Sequence, residues 1–107
     1  MRKDKTVKLI EKTLEDHKAE NVVIIDVSKR TPFADFYVLA TATNKRQLKA
    51  LSEVVSDELE KNKMEVGKIE GTPESGWILI DAKHVIVNIF TQEERDRISL
   101  EELLTKE

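Results

Sequence analysis

Cysteine is absent from this chain. That excludes disulfides and thiolate metal sites and accords with a reducing compartment. Glycine is scarce as well. Gly67, Gly71 and Gly76 are the only three, and none belongs to a GxGxxG or Gly-Lys-Ser/Thr pattern, so the sequence offers no backbone cradle for phosphates. Two histidines, His17 and His84, leave little for imidazole chemistry. No serine has nucleophile-elbow context, and nothing points to covalent catalysis. No apolar run reaches the ~18 residues of a membrane span. The basic start, Met1-Arg2-Lys3-Asp4-Lys5, is not followed by an unbroken apolar segment, so no signal peptide is visible. The expectation is a soluble cytoplasmic protein with no membrane partner. Neither sign of charge dominates, with 18 Lys and Arg against 21 Asp and Glu and a net charge of −3. Interspersed charge of this kind argues against duplex nucleic acid as the main partner, which needs clustered positive charge, and permits a basic protein partner.

What is present is enough for one small domain. A chain of 107 residues buries roughly two thirds of its unfolded surface and needs no staple. Val7, Ile10 and Leu14 recur at helical spacing and predict a helix over residues 3–19. The β-branched run Val-Val-Ile-Ile-Asp-Val predicts a strand over 22–27, with both faces buried as in an interior strand. Pro32 closes the connection that follows. A second strand is predicted over 35–42. Asn44, with Gln47 three residues on, reads as the N-cap of a helix over 45–62, carried by Leu48, Leu51, Val55 and Leu59. A weak strand over 66–71 precedes two stronger ones, 77–81 and 85–90, which a short turn at Ala82-Lys83-His84 joins as a hairpin. The tail, 91–106, is polar, with Ser99 placed to cap a short terminal helix at Leu100. The order α-β-β-α-β-β-β-α describes a single domain of α/β (α+β) class. It has a mixed sheet with helices packed on it in two layers, and a right-handed crossover that makes the second and third strands parallel.

Three constellations carry chemistry. Asp26, Asp35 and Asp81 lie at strand ends, where carboxylates of a mixed sheet can hold magnesium. The Asp35-Phe36-Tyr37 triplet, however, lacks a second acid on the same face and a Gly-Ser dipeptide before it. Lys29, Arg30, Lys45, Arg46 and Lys49 are basic, but with only Phe33 and Tyr37 near them they make a poor stacking platform. The third is Glu70-Gly71-Thr72-Pro73-Glu74-Ser75-Gly76-Trp77-Ile78-Leu79-Ile80-Asp81, a turn-rich loop leading into the only tryptophan. A large amphipathic ring at a strand mouth is either core or the anchor of a binding surface, and Phe36 and Tyr37 are candidates to share an apolar patch with it.

Read as a whole, the ordered string Asp35-Phe36-Tyr37-Val38, Thr43-Asn44-Lys45-Arg46-Gln47, Glu70-Gly71, Trp77-Ile78-Leu79-Ile80-Asp81, Val85-Ile86-Val87-Asn88-Ile89-Phe90 and Arg97-Ile98-Ser99-Leu100-Glu101-Glu102-Leu103-Leu104 resembles the ribosome-silencing factor family, also called Iojap-related. The resemblance spans residues 1–107 as one domain. It implies a nucleotidyltransferase-like topology without catalytic residues, and no cofactor or metal. It also implies binding to ribosomal protein fourteen of the large subunit, obstruction of subunit joining under nutrient limitation, and homodimerisation. The partner-contact positions it implies are Trp77, Ala82 and Ile98. Ala82 stands where a leucine is common and Ile98 where a tyrosine is. Asn88 replaces the usual histidine, Lys83-His84 the usual glycine-aspartate, and Leu104 the closing tryptophan. Without that imidazole an acid–base role has no support. Two other readings follow from the residues alone: a minimal metal-dependent nucleotidyltransferase or phosphohydrolase using Asp26, Asp35 and Asp81, and a generic homodimerisation module.

Overall fold

The helical spacing of Val7, Ile10 and Leu14 is realised in α1, Lys5–Asp16, which buries all three together with Thr13. The computed structural model describes residues 5–105, so residues 3 and 4 of the expected first helix and residue 106 of the expected tail lie outside the described residues. α1 stops before residue 19 because Lys18 turns into the left-handed region (φ 68°). There Ala19 N–H donates back to the Leu14 carbonyl at 2.9 Å, which closes the helix end.

β1 (Glu20–Asp26) pairs antiparallel with β2 (Phe36–Ala42). α2 (Lys45–Lys61) follows. Its N-cap is Asn44, whose side chain accepts the Gln47 N–H at 2.8 Å, while Gln47 Oε1 accepts the Thr43 N–H at 2.6 Å. The Asn44 cap is what its spacing to Gln47 announced, while the Gln47 side chain holds the N–H of Thr43 before the cap and not that of Asn44. β3 (Ile69–Thr72), a 3-10 turn (Pro73–Ser75), β4 (Trp77–Ala82) and β5 (Val85–Thr91) complete the sheet. β4 and β5 form the expected hairpin, with Ala82 opposite Val85 and Lys83 taking the positive φ (69°) that the tight turn requires. Two short helices close the chain, α3 (Gln92–Ile98) and α4 (Leu100–Thr105).

The strand order is β1-β2-β5-β4-β3, with β2 and β5 parallel and the other neighbours antiparallel. β2 and β3 therefore run in the same direction, as a crossover through α2 demands, yet two strands separate them. β1 is an edge strand, not an interior one: Val22 to Ile25 are each only half-buried. Its β-branched run specifies a strand but not a place in the sheet, and β5 took the other side of β2.

One face of the sheet carries the core. Phe36, Val38, Ala40, Ala42, Ile78, Ile80, Ala82, Val85, Val87 and Ile89 meet Val7, Ile10 and Leu14 of α1 and Leu48, Leu51, Val55 and Leu59 of α2. Each fully buried aliphatic side chain there is worth about 1.5–3 kcal/mol. Strand alternation sends Tyr37, Leu39, Thr41, Trp77, Leu79, Ile86, Asn88 and Phe90 to the opposite face. That face is covered at one end by α3, which touches β5 and β2.

α3 is an element the tail's polarity concealed. Its N-cap, Thr91, accepts the Glu94 N–H at 3.4 Å, and Thr91-Gln92-Glu93-Glu94 is the Thr-x-x-Glu signature that would have disclosed it. Ser99 ends α3 in a left-handed conformation (φ 50°). It contributes its carbonyl to the first turn of α4, accepting from Glu102 N–H at 3.1 Å, whereas its hydroxyl points back to the Asp96 carbonyl. Ser99 thus stands before the expected terminal helix and joins it through its carbonyl, not its hydroxyl. Arg95 locks this arrangement. It is 7% exposed and donates to Glu101 Oε1 (2.7 Å), the Asn21 carbonyl (2.8 Å) and Thr41 Oγ1 (2.7 Å). The register slip of β1 between Glu20 and Val23, with Asn21 at φ 49°, lies where the Asn21 carbonyl meets that guanidinium.

Candidate partner-binding site

The loop into Trp77 is built by local bonds. Thr72 and Ser75 cap one another across the 3-10 turn: Thr72 Oγ1 accepts the Ser75 N–H and Ser75 Oγ accepts the Thr72 N–H, both at 3.2 Å. Gly76 then reverses the chain at φ 78° and hands over to β4. A Cβ at Gly76 would stand 2.6 Å from Glu94 Cγ and 2.9 Å from Thr91 Oγ1. Glycine is required there both for the left-handed backbone and for the close passage of α3. Gly71 (φ 92°) is constrained in the same way by the Trp77 carbonyl.

Trp77 leaves this turn half-buried on the face opposite the core. Its ring stacks on Phe90 with centroids 5.4 Å apart and planes inclined 29°. Its Nε1–H donates to Asn88 Oδ1 at 3.0 Å. The exposed remainder of the ring lines a groove of about 360 Å³ together with Glu70, Gly71, Ser75, Leu79, Glu94 and Arg97. Arg97 clasps Glu94 through two bonds of 2.9 Å. That bond holds the Glu94 carboxyl below, and the Arg97 guanidinium above, their ordinary pKa ranges. The groove is thus apolar at its floor, with Glu70 and the Glu94–Arg97 pair at its wall. It can hold an apolar or cationic side chain, and it assembles no acid–base pair.

The implied contact positions are distributed unevenly. Trp77 and α3, which ends in the half-buried Ile98, share one face. Ala82 lies five residues further along β4 and faces the other way, 3% exposed among core side chains. Phe36 does not join a patch with Trp77; it is 8% exposed on the helix-covered face. Tyr37 does lie half-buried on the Trp77 face, opposite Ile86 in register and four β5 residues from Phe90.

The three aspartates of the enzyme reading stand at one end of the sheet but serve local turns. Asp26 Oδ1 accepts the Ser28 hydroxyl (2.6 Å) and N–H (2.9 Å), and the hydroxyl bond is the main reason its pKa lies below the ordinary range. Asp81 Oδ1 accepts the Lys83 N–H at 2.9 Å in the hairpin turn. Asp35 is exposed, and its N–H donates to the His84 carbonyl at 2.7 Å. Among the described residues no three acidic, histidine or cysteine side chains come together as a metal site. His17 is exposed and His84 is half-buried. No described helix is long and apolar enough to cross a membrane.

Sequence reasoning passed over Asn88, Glu94 and Arg97 as parts of the Trp77 surroundings. The i,i+3 spacing of Glu94 and Arg97 was the available signal for the pair. Nothing in the sequence placed Asn88 beside the indole.

Comparison with known proteins gives a consistent result. The profile of the family described as "Ribosomal silencing factor during starvation" matches residues 1–107. The chain is 27% identical over 103 residues to Ribosomal silencing factor RsfS of Bacillus subtilis, covering 96% of this chain and 87% of that one. It is 30% identical over 91 residues to the chloroplastic protein Iojap of Zea mays, covering 85% of this chain and 40% of that one. A crystal structure of a Chromobacterium violaceum protein, 30% identical, superposes with a TM-score of 0.93 over 100% of this chain and 89% of its own.

Proposed function

Because this chain belongs to the ribosomal silencing factor family, we propose that it represses translation by docking and not by catalysis. The partner is protein fourteen of the large ribosomal subunit, and the bound domain bars the small subunit from joining when nutrients are short. The observation that carries this reading is the Trp77 groove: a half-buried ring, backed by Phe90 and bordered by Glu70 and the Glu94–Arg97 pair, on a sheet face that α3 leaves partly open. A net charge of −3 complements a basic ribosomal protein. The contact would run from Trp77 to Ile98 on the α3 side. Ala82 would take part through the strand end that it forms beside the Lys83-His84 turn, its methyl being enclosed. Steric exclusion is the whole output, so no bond has to be made or broken.

Loss of a ring anchor of this kind costs about 2 kcal/mol or more in binding, roughly thirtyfold in affinity. Trp77→Ala is therefore expected to fold, as judged by circular dichroism, yet to lose co-sedimentation with large subunits and the block to subunit joining. A folded variant that co-sediments like the parent removes Trp77 from the contact. Self-association is the second reading. All four residues of β3 are exposed at the sheet edge, including Ile69 at 51%, and an unpaired edge invites pairing with a second copy. It predicts a mass that falls on dilution and no effect on ribosomes.

A further inference from the structure

Asn88 is a polar side chain where the sheet would be expected to hold an apolar one. It sits in the middle of β5, completely buried, between Phe90 and Ile86 along one face and opposite Leu79 across the β4 ladder. Its Oδ1 accepts the indole N–H of Trp77 at 3.0 Å, while its Nδ2 has no partner among the described residues. A buried donor left idle is a standing cost that leucine or valine at this position would not carry. Breaks of a local rule of this sort concentrate at functional sites.

We propose that Asn88 is a positioning residue for Trp77: it draws the ring's one polar atom into the sheet, so the indole is held in a single orientation and offers a partner carbon surface alone. The inference rests on the docking reading above. The two restraints act on different parts of the ring. The hydrogen bond directs the pyrrole edge inward, and the Phe90 stack occupies one face. What remains toward the groove is ring surface with no donor. A ring already ordered in the free protein loses less freedom on binding. The partner group seated against it is then an apolar or a cationic side chain, which aromatic surface attracts, and not a hydrogen-bond acceptor seeking the indole N–H.

The chain has one tryptophan, so every indole signal is unambiguous. In the unmodified protein the single indole N–H resonance is expected to exchange with water at least tenfold more slowly than free indole; exchange at the free rate overturns the proposal whatever any variant does. Asn88→Leu is expected to lose that protection, to change the Trp77 emission and to weaken large-subunit binding about tenfold. Asn88→His supplies an acceptor nitrogen on an uncharged ring and is expected to keep the protection, a rescue that a merely structural role would not produce. Protection retained in a folded Asn88→Leu protein overturns the proposal, as does normal large-subunit binding by Asn88→Leu when Trp77→Ala binds weakly. If Trp77→Ala itself binds normally while Asn88→Leu loses protection, the positioning of the ring stands and the docking reading is what fails. Should Asn88→Leu not fold, wild-type exchange and Asn88→His decide.

Discussion

Arg95→Met should be the most damaging single change outside the apolar core. Methionine keeps the aliphatic stem and removes the guanidinium, which is 7% exposed and bonded to Thr41 Oγ1, the Asn21 carbonyl and Glu101. The three bonds differ in worth. Thr41 is 1% exposed, so its hydroxyl loses a charged donor that water cannot replace, at about 1.5–3 kcal/mol. Asn21 is an exposed residue, and water can restore part of its carbonyl's bond, leaving about 1 kcal/mol. The Glu101 side chain is 40% exposed, so solvent screening reduces that pair to about 0.5 kcal/mol. Relief of guanidinium desolvation offsets some of the total, giving a net loss of about 3 kcal/mol. With a urea slope of roughly 1–3 kcal/mol per molar, the unfolding midpoint should fall by about 1–3 M. The assay is urea unfolding followed by circular dichroism and by Trp77 fluorescence. Arg95→Lys should fall between the two, since an ammonium cannot span all three acceptors. A loss below about 0.5 kcal/mol, the range of ordinary surface changes, would refute the view that Arg95 ties α3 and α4 to the β1–β2 edge.

Gly76→Ala should cost about 1–2 kcal/mol for the left-handed backbone alone, with more from the clash with Glu94 and Thr91. It should also alter Trp77 emission, because the turn aims β4. An unchanged midpoint and spectrum would show that the turn relaxes without consequence. Acid should weaken the fold in a defined direction. Glu94, Asp26 and Asp16 titrate below their ordinary range because Arg97, the Ser28 hydroxyl and Lys12 bond their charged forms. The unfolded chain therefore binds protons first, and these contributions are present above the unfolded carboxylate range and disappear as pH falls through the lower folded values. Arg97→Gln should flatten that decline in a pH series of urea midpoints, and an identical slope would show that the Glu94–Arg97 pair does not contribute.

Much of the fold was legible because local patterns and tertiary demands agree. The spacing of Leu48, Leu51, Val55 and Leu59 behind the Asn44 cap specifies α2 whatever it packs against, and the two apolar runs flanking Lys83-His84 specify the hairpin. Three points were not legible. The apolar run Val22 to Ile25 reads as an interior strand, yet burial of a strand depends on which neighbour reaches its free side. α3 was hidden by a polar surface whose inward residue is Arg95, a charge that can be buried only because Thr41, Asn21 and Glu101 are gathered from three other elements. Ser99 precedes the terminal helix as its position announces, but it meets that helix through its carbonyl while its hydroxyl serves α3.

The sequence by itself determined the family, the helices and strands other than α3, the helix-side core and the presence of one exceptional ring after a turn. Those properties rest on short-range periodicity, capping and composition, which each segment carries alone. Only the tertiary structure decided which side of the sheet that ring faces, because alternation along β4 places Trp77 and Ala82 on opposite faces. The structure alone also decided that Asn88 binds the indole N–H and that the Glu94–Arg97 pair walls the groove. Asn88 lies 11 residues from Trp77, and the two meet only through the β4–β5 register; α3 folds back over the same face only where Arg95 finds its partners. A binding surface is a property of register and face, and those are settled when strands pair.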